Sequence, residues 1–167
     1  MSHPFESHIR NVPDFPKAGI IFKDITPLLK DRFDEVIDTM AAMIDWSQID
    51  IVVGVESRGF ILGAAMAQKM GKGFVPIRKR GKLPPPVISE SYTLEYGIDQ
   101  LEMSVNDRVA HVVLVDDVLA TGGTIKAAMN LCKQNHYEVK ALSFLINLTF
   151  LNQMKNEGAP VFAVMDY

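Results

Sequence analysis

The run from Val112 to Thr124 reads Val-Val-Leu-Val-Asp-Asp-Val-Leu-Ala-Thr-Gly-Gly-Thr. An apolar stretch ends in two carboxylates, Asp116 and Asp117, and a short Thr/Gly loop then opens a helix. That order of residue types suits a phosphate monoester. Such a group needs several convergent N–H donors, and a glycine-containing turn at a helix N-terminus supplies them. Gly122 and Gly123 let the backbone approach the anion closely. Thr121 and Thr124 add hydroxyl donors. Asp116 and Asp117 place acceptors one step away, suited to vicinal sugar hydroxyls and a hydrated magnesium ion. A Walker loop is excluded, because no Gly-Lys-Ser/Thr follows, and the Gly-x-Gly-x-x-Gly spacing of a dinucleotide site is missing.

Two more stretches carry charge in places where chemistry could use it. Glu56-Ser57-Arg58-Gly59 follows an apolar run and precedes a helical pattern. Its backbone N–H groups and guanidinium can be offered to a polyanion. Arg78, Lys79, Arg80 and Lys82 put four basic residues in five positions, ahead of Pro84-Pro85-Pro86. For Lys79 and Arg80 the preferred reading is a solvated charge run. The four histidines, His3, His8, His111 and His136, have no metal-ligand spacing. The single cysteine, Cys132, falls at core spacing on a helical pattern and reads as packing.

The elements that must position these residues alternate. Short apolar runs at 51–55, 74–77, 109–115, 141–146 and 161–164 read as strands. Helical patterns at 33–44, 60–69 and 123–135 lie between them, the second closed by Gly71 as a C-cap. Apolar strands alternating with amphipathic helices predict an α/β fold, a mostly parallel sheet flanked by helices. Ligands then collect at the loops that follow the strands. Two segments break the alternation. Residues 11–29, rich in proline, read as a structured but irregular arm. Residues 78–103 contain a period of two, with Tyr92, Leu94, Tyr96 and Ile98 against Thr93, Glu95, Gly97 and Asp99, which suggests a β-ribbon. An insertion this long between core strands is more often a functional flap than a connector.

Val113 to Thr124 resembles the phosphoribosyl pyrophosphate signature of type I phosphoribosyltransferases. Four further segments resemble the adenine-specific branch of that family: 13–27, beginning Pro13-Asp-Phe-Pro, Gly54 to Phe60, Ile77 to Pro84, and Tyr92 to Gly97. They occur in the family's order and span nearly the whole chain. The resemblance implies one domain over 1–167, with a hood or adenine-pocket arm at 1–30 and a flexible catalytic flap at about 78–103.

It also implies roles. Asp116, Asp117, Ala120, Thr121, Gly122, Gly123 and Thr124 would bind phosphate and ribose. Glu56, Ser57, Arg58 and Gly59, with Arg78 and Lys82, would hold pyrophosphate, with a cis peptide at Glu56–Ser57 and Arg78 placed to act across a dimer interface. Ile21, Phe22, Lys23 and Val118, with Leu119 beside it, would form the adenine pocket. Main-chain groups at Ile21 and Lys23 would read the base edge. A 6-oxo base presents the reversed pattern and would leave buried groups unpaired. Glu95 and Tyr96 would be catalytic. In 6-oxopurine relatives an acidic residue usually stands at the position that is Ala120 here, which leaves Glu95 as the candidate carboxylate. Glu56 departs from the Asp of some relatives.

The implied reaction converts adenine and phosphoribosyl pyrophosphate into AMP and pyrophosphate, in purine salvage. Mg2+ would be held mainly by substrate and water near Asp116 and Asp117. A homodimer is implied as well. The alternatives are a phosphoribosyltransferase for another base and a non-catalytic regulator that senses phosphoribosyl pyrophosphate. Composition fits these readings and excludes others. A formal net charge of −3 in 167 residues, with no long run of one sign, argues against a protein that coats nucleic acid. One cysteine cannot make an internal disulfide, as expected of a cytoplasmic protein. The longest apolar run is far too short to span a bilayer.

Overall fold

A computed structural model describes residues 3–94, 97–154 and 158–167. They form two compact units, Met1–Thr39 and Met40–Tyr167.

In the first unit, β1 (Arg10–Pro13) and β2 (Ile21–Asp24) pair antiparallel, with Val12 opposite Phe22. The expected irregular arm is thus a two-stranded ribbon. Its connection is tied by Gly19 N–H donating to Asp14 Oδ1 at 2.7 Å. Arg10 closes the base on Asp24 at 2.7 Å, and Asp24 Oδ1 accepts the Thr26 N–H at 2.9 Å where a helix begins. That helix, α1, runs Thr26–Ala42, seven residues earlier than its periodicity suggested. Pro27 lies in the first turn, where an N–H has no intrahelical partner to lose. Arg32 interrupts the helical angles at φ −138°, ψ 31°, so the regular pattern begins only after it. The unit boundary falls within α1.

The second unit is built on β3 (Ile51–Val55), α2 (Arg58–Met70), β4 (Gly73–Lys79), β5 (Val87–Leu94), β6 (Gly97–Ser104), β7 (Ala110–Leu119), α3 (Gly123–Gln134), β8 (Tyr137–Asn147) and β9 (Val161–Asp166). Among the described residues they make one sheet in the order β5-β6-β4-β3-β7-β8-β9. The five strands from β4 to β9 are parallel, and β5 and β6 add an antiparallel hairpin against the end of β4. Val112 to Val115 are all buried on β7, as required of a strand covered on both faces. On α2 the buried residues are Gly59, Leu62, Gly63, Met66 and Ala67, a stripe at helical spacing. On α3 they are Ile125, Ala127, Ala128, Leu131 and Cys132. Burial of this kind contributes roughly 1.5–3 kcal/mol per large aliphatic side chain. Cys132 belongs to this core as expected, and burial pushes its thiol up to about 12. Gly71 caps α2 at φ 63°, in the left-handed region. No helix among the described residues is long and apolar enough to cross a membrane.

The order of strands places a switch beside β3. The chain leaves β3 for β4 on one side, while β7 pairs on the other. Loops after β3 and β7 therefore meet at one sheet edge, the position where open α/β sheets bind ligands.

Candidate active site

Asp116 and Asp117 lie within β7, although the apolar run suggested a strand ending at Val115. The reason is β8, which keeps pairing with β7 until Leu119 meets Asn147. On the opposite side β3 stops early, and its last pair with β7 is Gly54 with Val115. Beyond Val115 one edge of β7 is thus left by its neighbour strand, and the loop Glu56–Gly59 fills that place. A Cβ on Gly59 would stand 2.7 Å from the Val115 carbonyl oxygen and 3.1 Å from Asp116 Oδ1. Only a residue without a side chain lets the start of α2 sit against the acidic pair. Gly54 serves the same approach: its Cβ would meet the Phe74 ring at 2.7 Å and the Gly59 carbonyl at 2.8 Å. Sequence reading missed this role of Gly54, and only the paired small residues Gly54 and Gly59 hinted at it. The Glu56–Ser57 peptide is cis, as the resemblance implied.

Arg58 reaches from the start of α2 to the acidic pair, with Nε 2.8 Å from Asp117 Oδ2. Asp117 Oδ2 is buried and receives no aligned hydrogen bond, so this is a charge contact of a buried carboxylate. The Asp117 N–H donates to Asp116 Oδ1 at 2.9 Å. Burial, and then the charge of Asp117, raise Asp116 well above the usual carboxylate range, while Arg58 pulls the other way. Two adjacent carboxylates in a poorly solvated place resist double ionisation. The pair is therefore poised for a ligand that brings hydroxyl donors or positive charge.

The turn after β7 is arranged as its residue types suggested. Gly122, at φ 89°, is the N-cap of α3, and Gly123 is the first helical residue. The first turn of α3 presents N–H groups that have no partner within the helix. Asp116, Val118, Ala120, Thr121, Gly122 and Thr124 line one cavity there, with Leu119, Ile125 and Phe144 behind them. A Cβ on Gly122 would stand 2.6 Å from Met154 Sδ, so the turn packs against a segment in which sequence reading found no motif.

Glu56 accepts hydrogen bonds at Oε2 from the Lys79 N–H at 2.8 Å and from Arg78 Nε at 3.4 Å. Arg78 also donates to the Lys82 carbonyl at 3.2 Å and lies 5.8 Å above the Phe60 ring. The basic segment is thereby folded back onto the loop after β3. Lys79 is exposed, as expected of a solvated charge, but it is also ion-paired. Its Nζ pairs with Asp99 Oδ2 at 2.6 Å, and that oxygen also accepts the Tyr92 hydroxyl at 3.1 Å. Lys79 holds the Asp99 carboxyl below its usual range, and Asp99 raises Lys79 in return. Glu90 on β5 accepts from Asn130 at 3.0 Å and Gln134 at 2.8 Å, both on α3. The expected ribbon is therefore a hairpin tied to both β4 and α3. Glu95 and Tyr96 lie outside the described residues.

In the first unit, Ile21, Phe22 and Lys23 form most of β2. Ile21 is exposed, and the half-buried Phe22 ring meets Phe15 edge to face at 5.2 Å. Among the described residues no group of three or more His, Cys, Asp and Glu is placed to hold a metal ion. The adjacent carboxylates Asp116 and Asp117 are oxygen acceptors of the kind that would suit the water shell of a hydrated divalent ion without forming a cage.

Comparison with known proteins agrees with this arrangement. The family model described as phosphoribosyl transferase domain matches residues 18–147. A protein of Thermotoga neapolitana, named adenine phosphoribosyltransferase, is 52% identical over 164 residues, covering 95% of this chain and 96% of its own. The adenine phosphoribosyltransferase structure from Rhodothermus marinus superposes with a TM-score of 0.86 at 42% identity, covering 98% of this chain and 96% of that one. The Saccharomyces cerevisiae enzyme, solved with an imino-altritol bisphosphate and adenine, gives 0.88 at 35% identity and covers 96% of each chain.

Proposed function

The chain belongs to the phosphoribosyltransferase family, and from that premise we infer that it transfers the phosphoribosyl group of phosphoribosyl pyrophosphate to N9 of adenine, yielding AMP and pyrophosphate. The carrying observation is the turn after β7, with its acidic pair and α3 N-terminus, facing the Glu56–Gly59 loop across the switch point. One side suits a ribose 5-phosphate and the other a pyrophosphate.

In this reading Thr121, Gly122, Gly123 and Thr124 receive the 5-phosphate, beside Ala120. Asp116 and Asp117 accept from the ribose hydroxyls. Ser57, Arg58 and Gly59, with Glu56 orienting Arg78 and with Lys82 nearby, take the pyrophosphate. The adenine assignments, Ile21, Phe22, Lys23 and Val118, rest on family resemblance. As N9 bonds to the anomeric carbon, the bond from that carbon to the pyrophosphate oxygen breaks, and the bond pair leaves with pyrophosphate. Adenine must release one proton as AMP forms. Glu95 is the carboxylate suited to stabilise that redistribution, and Tyr96 positions the segment. Asp116 and Asp117 would lie near a hydrated magnesium ion carried in with the donor, which would supply charge neutralisation for the leaving pyrophosphate. A homodimer and a cytoplasmic setting complete the reading, the latter supported by the lone buried thiol.

The experiment is a single incubation of protein, adenine, phosphoribosyl pyrophosphate and magnesium, with AMP and pyrophosphate quantified and hypoxanthine in a parallel arm. AMP formation with little turnover of hypoxanthine is expected. No AMP, or equal use of hypoxanthine, overturns the assignment.

A further inference from the structure

The phosphate turn is braced from behind by a segment to which none of the roles above was given. Asn152, half-buried after β8, directs its amide nitrogen at the Ala120 carbonyl (2.7 Å), the Leu148 carbonyl (3.0 Å) and Asn147 Oδ1 (3.1 Å). Its amide oxygen accepts the Met154 N–H at 3.1 Å. Three acceptors on one side and a donor on the other fix the amide orientation, because a flip would set oxygen against three oxygens. We propose that Asn152 is a positioning residue that aims the Ala120–Gly122 turn at a phosphate monoester. The inference rests on the reading of that turn as the 5-phosphate site.

The Ala120 carbonyl and the Thr121 N–H belong to one planar trans peptide, so they point in opposite directions. Drawing the carbonyl back to Asn152 turns the Thr121 N–H the other way, as a phosphate donor requires. The same side chain fixes Met154, whose sulfur occupies the space that a Cβ on Gly122 would need. The Leu148 N–H adds a bond of 2.9 Å to the Leu119 carbonyl. Leu119, Ala120 and Gly122 are thus each held by the stretch 148–154. A phosphate loop that is fixed before binding loses less ordering entropy when the ligand arrives.

The test is the dissociation constant of AMP, with pyrophosphate as the control ligand of the other loop, for wild type, Asn152→Asp and Asn152→Ser. Asn152→Asp keeps the shape and the acceptor for Met154 but replaces the donors with charge beside the Ala120 carbonyl. It is expected to weaken AMP about tenfold or more, roughly the effect of one lost buried hydrogen bond with its unsatisfied partner. Pyrophosphate should stay within about threefold, and Asn152→Ser, with one donor left, should fall between. AMP affinity unchanged in the folded variants, with only the melting temperature lowered, overturns the proposal and makes Asn152 a brace of the C-terminal segment. If the aspartate variant does not fold, the serine variant decides by the same comparison. Failure of wild type to bind AMP would sink the phosphate-site reading itself, and this inference with it, before any variant is compared.

Discussion

Arg58 Nε stands 2.8 Å from Asp117 Oδ2, which joins the first residue of α2 to the buried carboxylate of β7. The two loops of the proposed site therefore share an ion pair before any ligand is bound. Pyrophosphate would compete with Asp117 for that guanidinium.

Replacing Arg58 by Gln removes the cation and leaves Asp117 buried without a partner charge. Charge-assisted hydrogen bonds contribute about 1.5–3 kcal/mol, roughly tenfold to a hundredfold in affinity. The KM for phosphoribosyl pyrophosphate is expected to rise by that range, with the KM for adenine little changed. Steady-state kinetics with each substrate varied would detect the asymmetry, and an equal rise in both constants would contradict it.

Asp116→Asn should make the empty protein more stable while weakening donor binding. Asp116 is raised in the folded state by burial and by Asp117. Its contribution to stability is fully present below its ordinary value and is lost as pH rises through the raised one. Asparagine cannot ionise and keeps that stability at neutral pH. The melting temperature of the variant should exceed wild type near pH 7 to 8, and the gap should close on acidification. A variant that melts lower at neutral pH would refute the electrostatic account.

Glu95→Gln, at a position outside the described residues, separates charge from shape. If the carboxylate assists the chemical step, single-turnover rates should fall by about 10²–10⁴-fold with dissociation constants within a few-fold. A near-silent result would remove Glu95 from catalysis.

Turnover should require a divalent ion, because the pyrophosphate needs charge neutralisation and the acidic pair is suited to a substrate-borne ion. Addition of excess chelator should abolish AMP formation, and added magnesium should restore it. Undiminished turnover in chelator would contradict the magnesium assignment.

Sedimentation at micromolar concentration should report a dimer, the state that family resemblance implies. A monomer throughout would remove any role for Arg78 across an interface.

The central strand, the Thr/Gly turn and the buried stripe of α3 were legible because their signals are local. Periodicity, a glycine at a cap and acidic residues beside it lie within about one helix length of each other. The N-terminal ribbon and the first turn of α1 were not, since Pro13, Pro16 and Pro27 made residues 11–29 read as an irregular arm. The extension of β7 through Asp117 depends on the length of β8, about 30 residues on. The ion pair of the exposed Lys79 was not legible because its partner Asp99 lies 20 residues away, across a strand pair. Asn152 carries no sequence signal at all, because three of its four partners are backbone groups, which any residue type supplies.

Cys132 has a practical consequence. It is the only cysteine in the chain, it is buried in α3, and its thiol is pushed up to about 12. Near neutral pH almost none of it is thiolate, so alkylating dyes have no native target. The unaltered sequence is already a background for single-site labelling. Ile98, 76% exposed on β6, can be changed to Cys to carry a fluorophore that tests whether the hairpin moves when substrates are added.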